Sequence, residues 1–225
     1  LILEIHRTYI RSSRTAQVFS IGASGEAVED LWIVLHGYGQ LGAFFIRNFD
    51  SLLDGKTRVV APEALSRFYL DGFSGRIGAS WMTKEDRLNE IRDQAEYLDR
   101  VLEAEHIHLS TDSLRLHVLG FSQGTATAWR WVRDRPLRPA SYTIWAGQAP
   151  AEFSDDMDRR LSAIPVFQVV GKRDPFITAE QADMQEALLR THFPKLQSLQ
   201  FDGKHEIHSS ALMEIRERIA DSQKG

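Results

Sequence analysis

Six short apolar runs, rich in β-branched residues, fall at residues 31–35, 58–61, 114–119, 142–145, 166–170 and 196–201, and longer segments separate them. Near-continuous apolar strands that alternate with helix-length connections describe a mostly parallel sheet. Each parallel pairing needs a crossover of a dozen or more residues, and the crossovers cover both faces of the sheet with helices. Upstream, residues 7–21 read as one or two further strands, with an antiparallel edge as one arrangement.

The clearest helical period runs over residues 82–105, where Leu88, Ile91, Ala95, Leu98 and Leu102 recur at spacings of three and four. Thr83 and Asp86 stand where a capping pair would start that helix. Thr178 and Gln181 form a capping-box pattern for another, and Leu212, Ile215 and Ile219 share one face of a last. Two connections are long. Residues 62–81 hold Phe68, Tyr69, Phe73 and three glycines, and read either as a surface loop pinned by aromatic anchors or as the wall of a substrate pocket. Residues 146–165 are too few for a large cap domain. With 225 residues, 43% of them hydrophobic, and no repeat or low-complexity linker, the chain is expected to form a single domain over 1–225.

The absence of cysteine removes disulfides, thiolate metal sites and cysteine nucleophiles, so covalent catalysis must use another side chain. A net charge of −4 offers no global attraction to nucleic acid or to an anionic membrane. Residues 1–10 include Glu4, His6 and Arg7 and lack the unbroken apolar stretch of a signal peptide, and no segment reaches the length of a membrane span. The cytoplasm is the default expectation, although a chain that starts at Leu1 leaves a trimmed leader open.

The chemistry concentrates at Gly120-Phe121-Ser122-Gln123-Gly124. A Gly-x-Ser-x-Gly match alone arises by chance with probability roughly 0.08 in a chain of this size, so the context carries the inference. The motif follows an apolar strand and precedes Thr125-Ala126-Thr127-Ala128-Trp129, a helix start. Strand, sharp turn and helix lift a serine hydroxyl above the C-terminal edge of a sheet. Such a hydroxyl needs a base, and the base needs an orienting acid. The next apolar strand but one ends in Gly171-Lys172-Arg173-Asp174-Pro175, and the last ends in Asp202-Gly203-Lys204-His205. Asp174 and His205 thus follow Ser122 in the order acid, then base. Asp155, Asp156 and Asp202 compete for the acid role and His208 for the base. The His205-Glu-Ile-His208 spacing is one residue short of a zinc-binding helical pair, and no metal is expected.

Two N–H donors should stabilise the oxyanion of a tetrahedral intermediate. One is the backbone of Gln123. The other comes from His36-Gly37-Tyr38-Gly39-Gln40 after the first apolar run, with Tyr38 N–H as the choice and His36 as a structural hydrogen-bonder.

Taken with Trp81, the segments 35–39, 120–124, 171–175 and 203–207 resemble, in order and spacing, the phospholipase/carboxylesterase family of α/β-hydrolases, which includes acyl-protein thioesterases and small carboxylesterases. The resemblance implies a capless α/β-hydrolase fold, no cofactor, and hydrolysis of carboxylic or thio esters through an acyl-enzyme. The chain departs from the family pattern at Gln40, where an acid is usual, at Thr125, where a glycine is usual, and at Met82 and Thr83. Trp81 and Phe176 are the expected substrate-binding side chains. The expected function is a serine carboxylesterase, with acyl-protein thioesterase, lysophospholipase and an inactive binding protein on the same scaffold as alternatives. Its expected partner is a small-molecule or lipid ester, with no nucleic acid and no stable membrane insertion; a homodimer is left open.

Overall fold

The structure is a computed structural model that describes residues 3–109, 114–150, 152 and 155–222. In chain order its elements are β1 (Val18–Gly22), β2 (Asp30–Leu35), α1 (Gly42–Phe45), β3 (Thr57–Pro62), β4 (Ser66–Asp71), β5 (Ser74–Ser80), α2 (Arg87–Leu109), β6 (Arg115–Phe121), α3 (Gln123–Asp134), β7 (Ser141–Trp145), α4 (Asp155–Ser162), β8 (Val166–Gly171), α5 (Ala179–His192), β9 (Leu196–Phe201) and α6 (Ser209–Ser222). Short 3-10 turns at Gly25–Ala27 and Ile46–Leu52 complete the set.

Seven strands form one sheet in the order β1-β3-β2-β6-β7-β8-β9. Only β1 runs antiparallel, paired from Val18 opposite Pro62 to Gly22 opposite Arg58. The six apolar runs of the sequence are the six parallel strands, as their burial on both faces requires. Alternate residues face two cores. Leu31, Ile33, Val118 and Ile144 pack beneath α2, α3, α4 and α5. Trp32, Val34, Leu119, Trp145 and Phe167 pack beneath α6 and the Ile46–Leu52 turn. Among the described residues no helix is long and apolar enough to cross a membrane.

Within residues 7–21 one strand forms, the antiparallel edge β1, as one of the expected arrangements has it; the preceding segment is polar and exposed, and Arg11 pairs with Glu96 on α2 at 2.6 Å. Two expectations are corrected. The helix expected from residue 82 begins at Arg87, because Asp86 takes φ 51°, a left-handed backbone that a right-handed helix cannot include. Leu88 accordingly sits exposed at the frayed start, and the buried face is Ala95, Leu98 and Val101. Finally, residues 62–81 are not an irregular loop. They form a β4–β5 hairpin that turns at Asp71-Gly72-Phe73-Ser74, with Gly72 at φ +67°. Gly at the first central position of a two-residue loop is what such a turn requires, since that residue takes positive φ. The capping box at Thr178 and Gln181 is present, and Leu212, Ile215 and Ile219 are buried together on α6. Residues 151, 153 and 154 of the 146–165 connection lie outside the described residues; the described remainder holds α4 and no cap.

At the sheet edge opposite the β6–α3 turn, His117 lies buried and stacked on Trp32, with ring centroids 4.7 Å apart. Its Nε2 is 2.9 Å from Asp30 Oδ1 and its Nδ1 2.8 Å from Ser141 Oγ. Asp30 also accepts two bonds of 2.7 Å from Arg115. A carboxylate only accepts, so Nε2 carries the proton and Nδ1 accepts from the Ser141 hydroxyl. The neutral ring is therefore fully satisfied. Burial pushes the pKa of His117 below its ordinary value, against the opposing pull of Asp30, and burial lowers His36 likewise. Below about pH 6.5 the unfolded chain thus binds more protons than the folded one. Stability is complete above that pH and is lost as pH falls toward the lowered folded values. Urea unfolding should show a lower midpoint at pH 5.5 than at pH 7.5, and His117→Gln should flatten part of that dependence; parallel profiles for the two proteins would refute the role of His117.

Candidate active site

Strands β2, β6, β8 and β9 all end at one edge of the sheet, and the loops that leave them carry the Gly37–Gln40 turn, Ser122, Asp174 and His205. Ser122 forms the turn between β6 and α3 with φ 53° and ψ −117°. A non-glycine residue held there stores on the order of 1–3 kcal/mol of backbone strain. Neighbouring contacts enforce it: Ser122 N–H donates to Trp145 O at 2.9 Å, and Thr125 N–H donates back to Ser122 O at 3.1 Å. A Cβ on Gly120 would lie 2.5 Å from Thr125 Cα, and one on Gly124 would lie 2.3 Å from Leu35 O and 2.6 Å from His36 O. Backbone approaches backbone at both glycines, so neither position admits a side chain. Thr125 is buried and ties the turn from below, its Oγ1 donating to Gly120 O at 2.9 Å.

Asp174 and His205 meet across the ends of β8 and β9. His205 Nδ1 lies 2.7 Å from Asp174 Oδ2, while Asp174 Oδ1 accepts from Phe176 N–H at 2.8 Å and Ile177 N–H at 3.1 Å. Three donors converge on a buried carboxylate, which sets His205 in the tautomer with the proton on Nδ1. Nε2 then presents a lone pair, and it makes no hydrogen bond to another described residue. The loops themselves interlock through Lys172 N–H to Phe201 O and Arg173 N–H to Gly203 O, each 2.9 Å. A Cβ on Gly171 would meet Lys204 O at 2.3 Å, so this glycine lets the two loops touch. The His205 ring packs between Phe121, at 4.9 Å, and Phe176, at 4.8 Å. Phe121 immediately precedes Ser122, which puts the imidazole beside the serine turn. Among the described residues Ser122 Oγ and His205 share no direct hydrogen bond, as is common before a substrate draws such groups together.

The competing residues are placed elsewhere. His208 stacks on Phe201 and bonds Ser210 at 2.9 Å. Asp202 pairs with Arg173 at the surface, and Asp156 with Arg160. The side chain of Asp155 lies outside the described residues.

After β2, Gly37 to Gln40 closes as a turn, with Gln40 N–H on Gly37 O at 3.3 Å and Gly39 at φ +74°. A Cβ on Gly37 would lie 3.1 Å from Ser122 Cβ, so this turn abuts the serine. Tyr38 N–H has no partner among the described residues, and neither has Gln123 N–H in the unbonded first turn of α3. His36 is buried; it accepts Ala64 N–H on Nε2 at 3.0 Å and donates from Nδ1 to Gly37 O at 2.7 Å, the expected structural part.

Trp81 requires a correction. It is buried and lines no open surface; its indole N–H donates to His36 O at 2.8 Å, and its peptide N–H donates to the Gln123 side chain at 3.1 Å. One residue therefore ties the β2 loop to the serine turn from behind. The Gln123 carboxamide, which sequence reasoning valued only for its backbone, completes the clasp by donating to Met82 O at 2.9 Å and Ser80 Oγ at 3.1 Å. Phe176 and Tyr38 are exposed on either side, Tyr38 lying 5.1 Å from the Phe68 ring of the hairpin.

Strand order, the turn after β6 and the placement of the loops define an α/β-hydrolase. The sequence profile of the phospholipase/carboxylesterase family matches residues 16–223, and the chain belongs to that family. Membership makes it a hydrolase of the esterase or thioesterase kind. Among solved structures, Zea mays acyl-protein thioesterase 2 is similar at 19% identity and TM-score 0.71, covering 92% of this chain and 99% of its own. Esterase PE8 is similar at 20% identity and TM-score 0.63, covering 91% and 99%. A phospholipase/carboxylesterase from Dyadobacter fermentans follows at 14% identity and TM-score 0.63, covering 93% and 99%. A search of curated proteins finds no significant match.

Because Gly124 faces two fixed carbonyls, Gly124→Ala cannot be relieved by a rotamer change. It should lower stability by about 1–3 kcal/mol in urea unfolding and push the β2 loop away from Ser122. An unchanged midpoint would show that this contact is looser than described.

Proposed function

We propose that the protein is a serine carboxylesterase in which Ser122 is the nucleophile, His205 the base and Asp174 the orienting acid. The observation that carries this reading is the 2.7 Å bond from His205 to a buried Asp174, beside a serine held at positive φ. In the proposed sequence Ser122 Oγ attacks the ester carbonyl carbon while His205 Nε2 takes its proton. The carbonyl oxygen becomes an oxyanion held by the N–H groups of Tyr38 and Gln123. Collapse of the intermediate breaks the C–O bond, and His205 returns the proton to the leaving alcohol. Water then repeats the cycle on the acyl-enzyme, releasing the acid and restoring Ser122. Asp174 remains ionised throughout and stabilises the imidazolium. No step calls for a metal or cofactor. The same groups would cleave a thioester, and the likeness to the maize acyl-protein thioesterase favours that as the second reading.

Ser122→Ala should abolish both ester hydrolysis and labelling by a fluorophosphonate. His205→Ala and Asp174→Asn should each lower kcat by orders of magnitude, while His208→Ala stays within about tenfold of the parent. Full turnover with another serine labelled would overturn the mechanism. For the oxyanion donor, Tyr38→Phe should keep most activity, whereas a folded Tyr38→Pro, lacking the N–H, should lose on the order of 10²–10³ in kcat. Equal damage in both variants would implicate the phenol instead.

The bulky side chains of Tyr38, Phe68 and Phe176 near the serine turn favour short to medium acyl chains. Rates on p-nitrophenyl esters from acetate to palmitate should peak in that range. Faster turnover of palmitate than butyrate would contradict it and support a lipid or acyl-protein substrate.

A further inference from the structure

The Gly37–Gln40 turn carries four peptide N–H groups, and their fates differ. Gly39 N–H donates to Ala79 O at 2.9 Å, and Gln40 N–H donates to Gly37 O at 3.3 Å. Gly37 N–H donates to the side chain of Gln40, reaching Oε1 at 2.8 Å. Tyr38 N–H alone is left without a partner among the described residues. Gly37 is buried and abuts Ser122, so its N–H, if released, would be a second donor close to the reacting centre, aimed by nothing. A buried amide without a partner is also unfavourable enough to drive the turn into another conformation. Gln40 is itself fixed, because it bridges to Ala79 on β5 through its backbone.

We propose that Gln40 is a positioning residue for ester hydrolysis: its side-chain oxygen takes up the Gly37 N–H, locks the turn, and so presents Tyr38 N–H as the one donor this loop offers to the oxyanion. The inference rests on the serine hydrolase reading above. Only the oxygen of the carboxamide is used, since the Gln40 Nε2 has no partner among the described residues. What matters is therefore an acceptor at that reach, and a carboxylate of the same length supplies one.

The test compares Gln40→Met, which keeps the length and removes the acceptor, Gln40→Asn, which keeps the amide but cannot reach, and Gln40→Glu, in the full chain with p-nitrophenyl butyrate. A donor misplaced by a fraction of its bond length weakens mainly the transition state. The methionine and asparagine variants should lose about 10- to 100-fold in kcat, with KM within about threefold and a boronic acid inhibitor weakened in step with kcat. Gln40→Glu should recover most of the loss. Circular dichroism establishes folding, and the polar asparagine variant serves if the methionine variant does not fold. Folded variants with the parent's kcat, or with a loss confined to KM, would overturn the inference, as would a glutamate variant no better than methionine. A parent protein that hydrolyses no ester or thioester and takes no fluorophosphonate at Ser122 would instead sink the underlying reading, and this inference with it.

Discussion

The contact on which the site depends is the approach of Gly124 to the carbonyls of Leu35 and His36, where a single methyl group would stand 2.3 Å from an oxygen. Strands β2 and β6 are hydrogen-bonded neighbours, and this contact lets the loops that leave them stay in register beyond the last ladder bond. The serine turn and the Gly37–Gln40 turn consequently behave as one object. Trp81 reinforces the union from beneath, with one N–H on each loop. Packing sets where the Ser122 hydroxyl stands relative to the Tyr38 and Gln123 amides.

Much of this was legible in the residue order. Fully buried parallel strands announce themselves as apolar runs because neither face meets water. Gly120, Gly124, Asp174 and His205 were legible because each follows such a run at the same sheet edge. The capping box at Thr178 was legible because both halves of its bonding are local. Helix α2 was misread at its start for a complementary reason: Thr83 and Asp86 fit a cap pattern, but the left-handed Asp86 moves the boundary, and periodicity carries no record of one residue's φ.

The hairpin and the clasp were harder to see. Residues 66–71 alternate between partly buried and exposed positions, with Phe68 against Tyr38 and Leu70 against Gly39, partners far away in sequence. Trp81 looked like a pocket wall, since aromatic residues near a site usually are; its burial is decided by bonds to His36 and Gln123 that no local pattern encodes. Gln40 likewise stood out only as a departure from a family pattern. Its part becomes visible once each amide of the turn is followed to its acceptor.

The β4–β5 hairpin touches the Gly37–Gln40 turn through bare backbone: a Cβ on Gly78 would meet Gly39 O at 2.6 Å, and Gly39 N–H is bonded to Ala79 O. Its far end, residues 71–77, is exposed, with Phe73 almost wholly so. Such an element divides naturally into a root that must not vary and a tip that can. Insertions, deletions or exchanged sequences between Leu70 and Ile77 fall outside the root, so protein engineers and natural drift alike have a place to rebuild the surface beside Tyr38 without touching the backbone contacts behind it.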